Sequence, residues 1–249
     1  MWWLAHGEVD VPAANDWLSA HEREHLDSIR FTKRRNEYLT RRWTAKQAIA
    51  GVLELERAAV SLARIELRHH DSGAPHVHLD GAPAGVDVSM SDRSGWAVCL
   101  VGPPGTPSIG PLGVDVEVVE PRSQRFVADF FTEHEQVHMR SQAGDDQYAE
   151  AANLIWSAKE AALKVRQVGL RADTRTVEVH VERSTRPDGW HPLTVVGPDA
   201  PMPGWWRREG LFLLTIAYTE PAEPPQLMPG GAHLAGGVPL HSWVDQPRC

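Results

Sequence analysis

The residues best placed to do chemistry lie in Trp156-Ser-Ala-Lys159-Glu160-Ala-Ala-Leu-Lys164 and, upstream, in Gly113-Val-Asp115-Val-Glu117. On a helix, positions 156, 160 and 164 fall at i, i+4 and i+8, so Trp156, Glu160 and Lys164 share one face. In a β-branched run, residues two apart point to the same side of a strand, which groups Asp115 with Glu117. Two carboxylates on a strand and a third on a helix, with lysines nearby, suit a hard divalent cation bound to a phosphorylated ligand.

The helix has an echo earlier in the chain. Trp43-Thr-Ala-Lys46-Gln47-Ala repeats Trp156-Ser-Ala-Lys159-Glu160-Ala in register, with Thr for Ser and Gln for Glu. A repeat on this scale predicts two related lobes. A ligand between them would meet Lys46 from one side and Lys159 and Glu160 from the other.

The elements that must position these groups follow from periodicity and turn residues. The first lobe, 1–111, reads as a strand at 2–6, helices at 17–29 and 37–55, and short strands at 65–67, 77–79 and 86–90. Strands at 96–101 and 112–119 are expected to form a hairpin around the Gly/Pro-rich stretch 102–111. The second lobe, 112–219, carries the metal site, with helices at 123–140 and 147–166 and strands at 176–181, 193–196 and 211–218. Residues 220–249 are rich in Pro and Gly and read as an irregular tail that Leu227, Leu234 and Trp243 could dock. The expected class is α+β: two similar α/β lobes related by a pseudo-two-fold axis.

The 249 residues suffice for one large or two small domains. No apolar run approaches the roughly 20 residues of a membrane span, and Met1-Trp-Trp-Leu lacks the basic start of a signal peptide. Cys99 and Cys249 make no disulfide framework, so a cytoplasmic protein is expected. The net charge of −8 argues against a general nucleic-acid binder. Positive charge is nevertheless concentrated between Arg30 and Lys46, in Arg30, Lys33, Arg34, Arg35, Arg41, Arg42 and Lys46, as a solvated helix face or as a docking surface for a phosphate or an acidic protein.

His134-Glu135-Gln-Val-His138 matches H-E-x-x-H, which on a helix offers two imidazoles to zinc and a Glu as general base. With 13 histidines in the chain the pattern arises readily by chance, and a zinc metallohydrolase leaves Asp115, Glu117, Lys159 and Lys164 without roles. His69-His70 and His76-Val-His78 read as surface positions. There is no P-loop, no Gly-x-Gly-x-x-Gly and no Gly-x-Ser-x-Gly elbow, which suits a reaction whose nucleophile arrives on the second substrate.

In order and spacing, Gly113-Val-Asp115-Val-Glu117, then Phe131-Thr-Glu-His-Glu135, then Trp156-Ser-Ala-Lys159-Glu160-Ala-Ala-Leu-Lys164 resembles the signature of the 4′-phosphopantetheinyl transferases, most closely their large two-lobed monomeric class. The basic 35–46 helix, the Gly73-Ala74-Pro75 turn, Ser89-Met-Ser91-Asp92-Arg-Ser-Gly95 and Val168-Gly-Leu170 extend the likeness. Two positions depart from it. Asp92 stands where the family usually has His, and Ala74 where it often has Lys, both with loss of positive charge where phosphates would sit.

The resemblance implies transfer of 4′-phosphopantetheine from coenzyme A to a serine of an apo acyl or peptidyl carrier protein, leaving 3′,5′-ADP. It implies Mg²⁺, replaceable by Mn²⁺, on Asp115, Glu117 and Glu160, with Glu160, Lys164 and Asp115 catalytic. Coenzyme A would be held by Lys46, Gly73, Pro75, Ser91, Asp92, Asp115, Lys159 and Lys164, with Lys46 as the first-lobe partner of its 3′-phosphate. An inactive homologue that only binds coenzyme A is disfavoured because all three metal ligands are present.

Overall fold

The computed structural model describes residues 1–105, 110–168, 173–182, 184 and 186–240. The first half of the chain runs β1 (Trp2–Gly7), α1 (Ala20–Ser28), α2 (Thr32–Val52), α3 (Ala59–Leu62), β2 (Ile65–His69), β3 (Pro75–Leu79), β4 (Ala82–Pro83), β5 (Val88–Arg93) and β6 (Trp96–Val101). The second half runs β7 (Gly113–Val118), α4 (Gln124–Phe130), α5 (Glu133–Arg140), α6 (Asp145–Val165), β8 (Glu178–Val181), β9 (His191–Val196), β10 (Met202–Glu209) and β11 (Phe212–Ala217), and β12 (Gln226–Leu227) follows. The strands make three sheets, ordered β12-β1-β6-β5, β7-β11-β10-β9-β8 and β2-β3-β4.

Alternation along the strands decides how the two larger sheets stack. Trp3 and Ala5 of β1 join Val98 and Leu100 of β6 in one apolar cluster with Val114, Val116, Leu214 and Ile216 of the other sheet. Leu4 and Cys99, on the opposite faces of the same strands, pack with Ala45, Ala48 and Ile49 of α2. In the second half Leu213 and Ala217 pack with Ala158, Ala161 and Ala162 of α6. The result is four layers, α2, sheet, sheet, α6, in which period-2 strands serve two cores at once. Each buried Leu or Val contributes roughly 1.5–3 kcal/mol to this packing.

Since Val114, Val116 and Val118 of β7 face the inter-sheet core, alternation turns Gly113, Asp115 and Glu117 toward α6. Gly113 sets the spacing: a Cβ there would lie 1.9 Å from the carbonyl oxygen of Ala161. Only glycine lets α6 come this close.

Four expectations are corrected. β6 and β7 form no hairpin, because β6 pairs with β1 and β5 while β7 pairs with β11; the intervening stretch hands the chain from one sheet to the other. The helix expected over 123–140 is two helices. Thr132 caps the second, its Oγ1 accepting from Glu135 N while Glu135 returns a bond to Thr132 N, and this capping box restarts the chain in a new direction. β10 is a strand absent from the sequence expectation, lying between β9 and β11; Gly204 is needed there because a Cβ would sit 2.2 Å from the Ile216 carbonyl oxygen. The tail is ordered through 240. β12 pairs parallel with β1, Met228 and Leu234 are buried in separate cores, and Leu227, expected to dock, is exposed. Trp243, Cys249, Gly169 and Leu170 lie outside the described residues.

Candidate functional site

The repeat seen in sequence has a physical basis. Lys46 and Lys159 are both fully buried. Lys46 Nζ pairs with Glu22 Oε2 at 2.5 Å and donates to the carbonyls of Trp17 and Leu62. Lys159 Nζ pairs with Glu135 Oε2 at 2.8 Å and donates to the carbonyls of Thr174 and Val177. Each glutamate closes a capping box, with Ser19 or Thr132, and each accepts from a strand amide, Leu67 N or Val179 N. Glu22 stands as far before Lys46 as Glu135 does before Lys159. Burial pulls both ammonium pKa values down, and the facing carboxylates pull them back.

This arrangement removes Lys46 and Lys159 from the cleft where the sequence reading put them, since every donor of each points into the protein. It also disposes of the H-E-x-x-H reading. Glu135 is fully buried and already shared among Lys159, Thr132 and Val179, so it cannot serve as a general base to a metal-bound water.

The chemistry-bearing groups gather at the seam where β5, the edge of one sheet, runs beside β7, the edge of the other. Ser89 Oγ accepts from Val114 N, and Ser91 Oγ donates to Asp115 Oδ1 at 2.7 Å. Asp115 also accepts from Ser157 at 2.9 Å and from Lys164 at 2.9 Å, and Lys164 donates a further bond to the Val114 carbonyl. Glu117 lies between Arg93 at 3.0 Å and Arg122 at 2.9 Å. Arg93 reaches Glu120 as well, at 2.5 Å. Burial, opposed by Arg122 and Arg93, raises the Glu117 pKa.

Glu160 differs from its neighbours. Its Oε1 is buried without a hydrogen-bond partner. Burial first, then the charge of Asp115, pushes its pKa to about 7, against the pull of Lys164. A desolvated carboxylate beside other carboxylates gains from a nearby cation, and an oxygen-rich donor set of this kind fits a hard divalent ion. The fit requires local adjustment: the oxygens of Asp115, Glu117 and Glu160 are not all within 4.8 Å of one another, because Lys164, Arg93 and Arg122 hold the first two.

A cleft of about 460 Å³ borders this seam, and Lys164 is on its wall. Gly73 and Pro75, expected as ligand contacts, line it; Ser91, Asp92 and Asp115 do not. Arg41, Arg42, His25 and His69 do: Arg41 and Arg42 were expected only as part of the basic run, His69 was expected at the surface and outside any site, and His25 was not singled out. Partial desolvation and then Arg42 and Arg41 lower the His69 pKa to about 4. The same positive field favours an anion in the cleft. Asp92 forms an ion pair with Arg41, so this acid holds an arginine of the cleft wall.

Residues 111–190 match the model of the 4′-phosphopantetheinyl transferase superfamily. The match takes in β7, α4, α5 and α6, and therefore every carboxylate of the seam, but none of the arginines on the opposite wall of the cleft. It supports a transferase of phosphopantetheine. No curated protein matches the chain.

Proposed function

We propose that the protein transfers 4′-phosphopantetheine from coenzyme A to a serine hydroxyl of an acyl or peptidyl carrier protein. The observation that carries this reading is Glu160, a buried carboxylate with an unpartnered oxygen, one helical turn before Lys164, which lines a cleft whose far wall is cationic. In the reaction, the serine oxygen bonds to the pantetheine-bearing phosphorus as that phosphorus loses its bridging oxygen to 3′,5′-ADP. Glu160, directly or through a water, takes the serine proton. Lys164, on the cleft wall and anchored to Asp115, stabilises negative charge developing on the leaving group. Arg41 and Arg42 hold phosphate from the opposite side. Asp115, Glu117 and Glu160 would hold Mg²⁺ or Mn²⁺, which would supply positive charge against the phosphates of the substrate.

The duplicated Glu–Lys pairs support reading residues 1–111 and 112–219 as two lobes related by a pseudo-two-fold axis, as in the large monomeric class. Arg30, Lys33 and Arg34 are exposed on the first turn of α2 and the loop before it, away from the internal bonds that occupy Arg35 and Lys46. They are the exposed part of the basic run, the part that would meet an acidic carrier. The deciding experiment is intact mass of a panel of apo carrier proteins incubated with coenzyme A and Mg²⁺. Addition of one phosphopantetheine is expected; no addition on any carrier would reject the reading.

A further inference from the structure

One cluster of metal-ligating side chains lies outside this site. His134 is in the first turn of α5, and Glu178 and His180 stand two apart on β8, so the strand presents both on one side. His180 Nε2 lies 3.2 Å and His134 Nδ1 3.5 Å from Glu178 Oε1. The two imidazole rings are 5.2 Å apart, and one ligand atom from each of the three residues lies within 4.8 Å of the other two. Among the described residues no other group of three meets that spacing. His70, His76 and His78 stack in a row without doing so.

We propose that His134, Glu178 and His180 form a surface site for a d-block divalent cation, zinc foremost, which staples α5 to β8. Tetrahedral zinc with nitrogen and oxygen ligands at ~2.0–2.2 Å sets its ligand atoms about 3.4 Å apart. The cluster reaches that spacing by small rotations of partly exposed side chains. The second oxygen of Glu178 accepts from Thr132 Oγ1 at 2.8 Å, which fixes the carboxylate as a bound ion requires. Two imidazoles and one carboxylate select zinc, nickel or copper over magnesium, so the site would not compete for the ion of the seam. Its fourth position is open to water, but Glu135, held by Lys159 in the interior, cannot serve that water as a base. Its effect is mechanical: it ties down the helix that carries Glu135, the partner of Lys159. None of this rests on the transferase reading.

The test uses the whole chain, stripped with a chelator and titrated with zinc sulfate in excess Mg²⁺ against a chromogenic zinc indicator. One zinc per chain is expected, with a rise in Tm on saturation. His134→Gln and His180→Gln should each weaken binding by ~10-fold or more, and His138→Gln should leave it unchanged. Absence of saturable zinc would overturn the proposal. So would zinc binding that survives both substitutions and is lost on His76→Gln or His138→Gln.

Discussion

The two halves of the molecule hold their long helices by the same set of bonds, yet only one holds the chemistry. Glu22 with Lys46 and Glu135 with Lys159 each tie a capped helix start to a buried helix lysine and a strand amide. After the lysine the halves part, with Gln47 in α2 and Glu160 in α6. The opening strands differ too: β1 reads Trp-Trp-Leu-Ala-His-Gly, whereas β7 carries Asp115 and Glu117. The buried pair is thus scaffolding common to both, and only the second copy is accompanied by the carboxylates of the seam. The first half instead contributes Arg41 and Arg42 to the opposite wall of the cleft.

The sharpest way to break this comparison is at the position where the halves differ. Glu160→Gln should lower transfer by at least ~10²-fold, whereas Gln47→Met should leave the transfer rate unchanged, both read by carrier mass. Equal losses would mean that both helices contribute to the reaction.

The scaffolding claim predicts a symmetric loss of stability. Lys46→Met and Lys159→Met should each cost about 3–5 kcal/mol in denaturant unfolding, because each strands a buried carboxylate. Restoring an apolar pair with Glu22→Met or Glu135→Met should recover much of it. A lysine whose removal costs nothing would not be scaffolding.

Glu160 also distinguishes the halves by pH. Its pKa in the folded protein is about 7 against 4.5 for the free side chain, so between those values the folded state keeps a proton that the unfolded state releases. Stability contributed by this group therefore falls as pH rises from 4.5 to 7. Glu160→Gln should remove that decline and stabilise the metal-free protein above pH 7 by about 1–3 kcal/mol, measured by unfolding across the window. The smallest effect is expected at the first-half wall: Arg41→Ala should raise KM for coenzyme A about two- to fivefold, and Asp92→Asn, which frees Arg41, should lower it.

What could be read in the sequence was what depends on local spacing. Asp115 with Glu117 is an i, i+2 relation, Glu160 with Lys164 an i, i+4 relation, and the Trp-x-x-Lys echo an i, i+3 relation. What could not be read was burial. A lysine in a helix looks the same whether it meets solvent, a phosphate or a carboxylate beneath it, and only the tertiary position of Glu22 and Glu135 decides. The clue was present, since Ser19-x-x-Glu22 and Thr132-x-x-Glu135 are capping boxes at matched distance from the two lysines, but the second was masked by its overlap with H-E-x-x-H. β10 was hidden for a different reason, because Pro203 and Gly204 mark a turn unless a neighbouring backbone demands a residue without Cβ.

The tail that follows β11 has a consequence for biosynthesis. β1 receives its outer partner from Gln226 and Leu227, far later in the chain, and Met228 fills the space beside Gly51 in the first core. On the ribosome the first half would wait, with one sheet edge open and a gap in its packing, until residues 226–228 had emerged. A nascent chain with an exposed strand edge for that long is a substrate for holding chaperones. Carboxyl-terminal trimming before residue 226 should accordingly reduce soluble yield, leaving every residue of the seam and cleft in place.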